Sequence, residues 1–217
     1  MNTPTLDPRL YLVLDPEQCA DPVALARAAV AGGVTLVQLR HKRADTRELL
    51  ALTRELLAAL APVPILVNDR VDVALAAGAA GVHLGQTDMP AIDARRLLGE
   101  KAIIGLTVRS LAEARAALAA PVDYLSIGGV HATASKHNPK PPIGLTGLGE
   151  IVQWLRSHGC ALPLTAISGI QAAQIPAVLG CGVQGVALVS AICGAADPRA
   201  AARTLRDIVD AGPAVTP

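Results

Sequence analysis

The chain has 217 residues, 52% hydrophobic and 17% charged, a composition that excludes a disordered polymer and suits one sizeable core. Nineteen basic residues against eighteen acidic leave a net charge of +1, and only Tyr11, Tyr124 and Trp154 are aromatic. Broad attraction to nucleic acid or an anionic membrane and a base-stacking platform are therefore not expected, and the expected partner is a small molecule.

No apolar run approaches the ~18 residues of a membrane span, and the segment Met1 to Leu10 is polar rather than signal-like. Cys19, Cys160, Cys181 and Cys193 form no CxxC pair and read as reduced thiols of a cytoplasmic protein.

Short β-branched or aliphatic runs alternate with Ala/Leu/Arg stretches of helical spacing along the whole chain. The predicted strands are Leu10–Asp15, Thr35–Arg40, Ile65–Asp69, Gly81–Gly85, Ile103–Val108, Tyr124–Val130, Leu164–Ser168 and Gly185–Ser190. The helices that follow them are Pro22–Ala31, Thr46–Leu60, Val71–Ala77, Ile92–Leu98, Leu111–Ala119, Leu148–His158, Ala172–Leu179 and Pro198–Ala211. Asp21, Asp45 and Asp197 are placed to cap helix N-termini, and Gly78, Gly159, Gly180 and Gly212 to end helices. Strict strand–helix alternation implies a parallel sheet, and eight units with short connections imply a single (β/α)8 TIM barrel over residues 1–217, with short flexible ends near 1–8 and 213–217. GxxxxGK[ST] does not occur, which counts against an open nucleotide-binding sheet of the P-loop kind.

In this fold the connections after the strands carry the chemistry. Alternation in the second strand puts Leu36, Gln38, Arg40 and Lys42 on one side. That set suits an anionic ligand or, equally, a structural salt bridge at a strand end. Asp69 and Asp88 end successive strands or their loops and should be neighbours; two carboxylates together suit Mg²⁺. The alternative has Asp88 capping the next helix and Asp69 pairing with Arg70. Asn68 beside them offers both a donor and an acceptor.

A long Pro/Lys/Asn/Gly connection runs from His131 to Thr146 and is expected to act as a lid; its Thr133-Ala134-Ser135-Lys136 brings two hydroxyls and a cation to the rim. Ile167-Ser168-Gly169-Ile170 and Val189-Ser190 lie after the seventh and eighth strands, where barrels hold phosphate on backbone N–H groups; a plain turn is the alternative. His83 reads as a hydrogen-bonded core residue, and His131 is placed to reach the site.

These clusters in this order resemble the thiamine-phosphate synthase family. The resemblance runs from about Tyr11 to Pro198 and is carried by Gln38-Leu39-Arg40-His41-Lys42, Asn68-Asp69-Arg70, Gly81 to Pro90 (GVHLGQTDMP), Thr133-Ala134-Ser135-Lys136 and Val189-Ser190. It implies Mg²⁺-dependent coupling of 4-amino-2-methyl-5-hydroxymethylpyrimidine diphosphate with 4-methyl-5-hydroxyethylthiazole phosphate. By resemblance Gln38, Arg40, Lys42, Asn68 and Lys136 hold the pyrimidine diphosphate, with His41 and Thr107 in the same region, and Asp69 and Asp88 bind Mg²⁺. Thr133, Ser135, Gly169, Val189 and Ser190 bind the thiazole phosphate; Arg40, Lys42 and Lys136 are the catalytic cations.

The sequence departs from the family at His41, often glutamate, at Thr107, usually serine, at His131, commonly phenylalanine, and at Ser135, usually threonine. His131 favours a rival reading, a thiazole tautomerase-like isomerase; a third is a non-catalytic barrel that binds a thiamine precursor and regulates.

Overall fold

The computed structural model of the chain describes residues 6–133 and 141–213. Eight parallel strands close into one barrel in sequence order: β1 (Leu10–Leu14), β2 (Leu36–Leu39), β3 (Ile65–Asn68), β4 (Gly81–Leu84), β5 (Ile103–Val108), β6 (Tyr124–Ile127), β7 (Leu164–Ile167) and β8 (Gly185–Leu188). Closure is made by β8 on β1, with Tyr11 opposite Ala187. The outer layer comprises α1 (Pro22–Ala31), α2 (Thr46–Leu60), α3 (Val71–Ala77), α4 (Ala91–Leu98), α5 (Leu111–Ala117), α6 (Gly144–Ser157), α7 (Ile175–Gly180), α8 (Ser190–Cys193) and α9 (Pro198–Ala211).

Alternation along each strand divides the core in two. Val37 and Leu39 of β2 face the helices and join the large layer between barrel and helices, whereas Leu36 joins Tyr11, Val13, Leu66, Ile103, Tyr124 and Ala187 inside the barrel. The interior tolerates two tyrosines because small residues oppose them: a Cβ on Gly105 would stand 2.1 Å from Tyr124 Cζ. Asp21, Asp45 and Asp197 cap their helices as predicted, accepting from the N–H groups of Ala24, Glu48 and Ala200.

Most strands are shorter than the sequence pattern suggests. The residues expected to end them, Asp15, Arg40, Asp69, Gly85, Gly128–Val130, Ser168 and Val189–Ser190, lie beyond the strands in the connections that form the mouth. Ser190 instead opens α8, a single turn absent from the sequence reading, whose Ile192 and Cys193 are buried. Helix α6 starts at Gly144 rather than Leu148, because packing of Leu148, Ile151, Val152 and Leu155 carries a glycine-rich first turn. Ala172–Gln174, expected as α-helix, is a separate 3-10 turn before α7. Of the ends expected to be loose, residues 1–5 and 214–217 lie outside the described residues, while Pro8 is buried and Asp7 pairs with Arg9 at 2.7 Å.

Two arginines tie the opposite end of the barrel by one repeated device. Arg95 donates to the carbonyls of Gly99 and Ala102 and to Asp123 Oδ2, which also accepts the N–H of Ile104. Arg156 donates to the carbonyls of Cys160 and Leu162 and to Gln184 Oε1, which accepts the N–H of Leu164. Each arginine thereby satisfies loop carbonyls before a strand and fixes that strand's register at the end away from the mouth.

Candidate active site

A cavity of about 190 Å³ opens at the C-terminal ends of the strands. Eight of the predicted site residues line it: Gln38 and Arg40 from β2 and its loop, Asn68 from β3, Thr107 from β5, Thr133 after β6, Gly169 after β7, and Val189 and Ser190 after β8. Strand order places Gln38 to Thr107 on one arc of the mouth and Thr133 to Ser190 on the other. His41, Lys42, Asp69 and Asp88 are not part of this lining. Ser135, Lys136 and the middle of the expected lid lie outside the described residues.

Asp69 and Asp88 are brought together, and each avoids the bland role open to it in sequence. Arg70 pairs with Asp72 at 2.6 Å, and Asp69 pairs with Lys42. Helix α4 has Pro90 at its cap, while Asp88 Oδ2 accepts the Gly85 N–H at 2.7 Å. The two carboxyls lie close enough to perturb each other, and they are driven apart in proton affinity. Burial would raise Asp69, but the Lys42 ammonium and the neighbouring Asp88 carboxyl hold it below the usual carboxylate range. Burial and the Asp69 carboxylate push Asp88 up. Two neighbouring carboxyls at the mouth offer oxygen donors of the kind a divalent cation takes. Asp69 is held at φ 62°, the left-handed region that costs a non-glycine residue about 1–2 kcal/mol.

Arg40 does form the structural salt bridge left open by the sequence, 3.3 Å to Asp15, while still lining the cavity. Buried Asp15 also accepts from the Glu17 N–H and Gln18 Nε2 at 3.1 Å. His41 Nδ1 and His131 Nε2 are buried with no hydrogen-bond partner among the described residues.

The segment after β6 meets the segment after β7 closely. Ser168, at φ 94°, accepts the Gly129 N–H on its hydroxyl at 3.1 Å and the His131 N–H on its carbonyl at 2.9 Å. This second strained non-glycine residue lines the cavity, whereas Asp69 stands at the mouth after β3, outside that lining.

Several lining residues escaped the list of site residues drawn from sequence: Tyr11, His83, Arg109 and Ser126. Period two on β5 would have flagged Arg109, two residues beyond Thr107; its Nη2 donates to the Pro141 carbonyl at 2.6 Å. Tyr11 and Ser126 carry no such signal, because an isolated tyrosine or serine in an apolar strand reads as core. His83 is the buried, hydrogen-bonded histidine expected, and it also faces the cavity.

The family model described as thiamine monophosphate synthase matches residues 10–192. The chain is 47% identical over 208 residues to a thiamine-phosphate synthase of Albidiferax ferrireducens, covering 94% of this chain and 92% of that one. It is 47% identical over 189 residues to a thiamine-phosphate synthase of Agrobacterium fabrum, covering 86% of each. A solved structure of thiamine phosphate pyrophosphorylase from Pyrococcus furiosus superposes with a TM-score of 0.83 at 38% identity, over 94% of this chain and 96% of that one.

Proposed function

The chain belongs to the thiamine monophosphate synthase family, and from that premise we propose that it joins 4-amino-2-methyl-5-hydroxymethylpyrimidine diphosphate to 4-methyl-5-hydroxyethylthiazole phosphate. The activity is that of a transferase: the thiazole nitrogen bonds to the pyrimidine methylene carbon, the bond from that carbon to the diphosphate oxygen breaks, and diphosphate leaves with the electron pair. The observation that carries this reading is the cavity with two polar arcs and an acidic pair beside Asn68.

In this reading Gln38, Asn68 and Thr107 orient the pyrimidine diphosphate, and Arg40 and Lys42 face the charge that grows on the leaving group. His41 lies in the same stretch. On the other arc, Thr133, Gly169, Val189 and Ser190 hold the thiazole phosphate through hydroxyls and backbone N–H groups. Ser135 and Lys136 take the second hydroxyl and the third cation by resemblance. The residues that would hold Mg²⁺ are Asp69 and Asp88, whose oxygen set fits it, and the bound ion would supply charge neutralisation at the diphosphate. No general base is needed, because the ring nitrogen attacks with its own lone pair. The four free thiols suit the reducing cytoplasm in which we place the protein.

Mass spectrometry of the protein with both heterocyclic phosphates, with and without Mg²⁺, tests the reading. Thiamine phosphate and diphosphate are expected only when both substrates and Mg²⁺ are present. The buried His131 Nε2, with no hydrogen-bond partner among the described residues, favours an isomerase instead. An isomerase would convert the thiazole phosphate alone without metal, and Mg²⁺-dependent binding without turnover would mark a regulatory barrel.

A further inference from the structure

Five polar side chains from five strands form one hydrogen-bonded chain across the barrel interior. Gln38 Nε2 donates to the Tyr11 hydroxyl, and the Tyr11 and Tyr124 hydroxyls are 2.9 Å apart. The Tyr124 hydroxyl is 2.7 Å from His83 Nδ1, and His83 Nε2 is 2.7 Å from Thr107 Oγ1. Gln38, Tyr11, Tyr124 and His83 are all buried.

Proton counting gives the chain a direction. An amide nitrogen can only donate, so the Tyr11 oxygen accepts from Gln38 and its single proton goes to Tyr124. The Tyr124 proton then goes to His83 Nδ1, which carries none of its own. The imidazole proton is on Nε2 and is donated to the Thr107 oxygen. In the reverse arrangement, with Nδ1 protonated, Tyr11 would accept from both neighbours and leave its own proton buried without an acceptor, which is costly. Burial raises the pKa of both tyrosines despite the bonds that lower that of Tyr11, so each keeps the one proton the count requires.

We propose that His83 is a positioning residue: by donating Nε2–H to Thr107, it turns the Thr107 hydroxyl into a hydrogen-bond donor aimed at an acceptor atom of the pyrimidine diphosphate. This rests on reading the cavity as the pyrimidine site. Thr107 lines the cavity, and its methyl group is turned to Gly128, where an ideal Cβ would be 3.1 Å away. With its oxygen already accepting from His83, its proton is the part left to meet a ligand.

Two measurements test it. In ¹⁵N-histidine NMR of the intact protein, with the His83 signal assigned by its loss in His83→Gln, Nε2 should be protonated and Nδ1 bare. A proton on Nδ1, in the neutral or the cationic ring, overturns the proposal. In steady-state kinetics, Thr107→Val should raise KM for the pyrimidine diphosphate about tenfold and leave KM for the thiazole phosphate unchanged, the loss of one hydrogen bond. His83→Leu should do the same, and should add less than about twofold in the Thr107→Val background. An undiminished His83→Leu effect in that background would mean that His83 does not act through Thr107. If the unaltered protein makes no thiamine phosphate, the proposed function fails, while the NMR result still decides the direction of the chain.

Discussion

Gly169 and Ala132 are in such close approach that a Cβ on Gly169 would stand 2.1 Å from the Ala132 carbonyl oxygen. Sequence placed this glycine where a phosphate must come close to the backbone. The structure adds that it is also where the loop after β7 meets the loop after β6, with φ at 65°. Gly169→Ala should therefore combine about 1–2 kcal/mol of left-handed strain with displacement of the 128–133 backbone. Gly78→Ala, at φ 71° with nothing within 4 Å, should cost the strain alone. Urea unfolding of the two variants compares them, and equal losses would mean that the contact is relieved without cost.

Asp69→Asn and Asp88→Asn should leave the barrel folded, because both residues belong to the mouth and not to the core. Each should lower Mg²⁺-dependent kcat by about 10²–10³-fold, equivalent to ~3–4 kcal/mol of lost charge stabilisation. Turnover across a Mg²⁺ titration, with thermal unfolding in parallel, checks this. Undiminished activity in both variants would remove the metal assignment.

Arg95→Ala should destabilise the fold by about 3 kcal/mol, since it strips partners from the Gly99 and Ala102 carbonyls and from the Asp123 carboxylate at once. Arg96→Ala, on the next residue of the same helix and 74% exposed in its pair with Asp93, should stay within about 0.5 kcal/mol. Denaturant midpoints of the two variants would show the contrast.

Burial pushes the Cys193 thiol up to about 11, while the backbone bond to Asp15 pulls slightly the other way. A raised thiol pKa means less thiolate at a given pH, so at pH 8 Cys193 should resist iodoacetamide in the folded protein and react only on unfolding. Half-buried Cys19 and Cys181 should be alkylated first. Mass spectrometry of a native labelling time course reads the order, and early modification of Cys193 would contradict it.

The fold was legible because its signals are local. Alternation of short apolar runs with helical spacing, and aspartates at helix starts, placed α1, α2, α3 and α9 at the residue ranges found. Where the local signal was weak, placement drifted: glycines hid the first turn of α6, and four residues were too few to announce α8. Much of the site was legible for the same reason, since polar residues at the ends of apolar runs stand out. Gln38 and Asn68 were visible as such interruptions, and Asp69 and Asp88 as neighbours once successive strands were taken as parallel, whereas Thr107 entered only through the family resemblance.

The residues along the chain thus determined the barrel, its order and the identity of the polar groups at its mouth, because period, capping and strand–helix alternation depend on near neighbours. Only the closed tertiary structure decided which of those groups meet. Lys42 turned to Asp69 and Arg40 to Asp15, choices that depend on distances between separate strands. Closing the barrel also set Tyr11 against Tyr124, 113 residues away, and so created the polar chain that ends on Thr107. A tyrosine or histidine in an apolar run reads as core in one dimension. Which atom it must donate to is fixed only when another strand brings the acceptor within hydrogen-bonding distance.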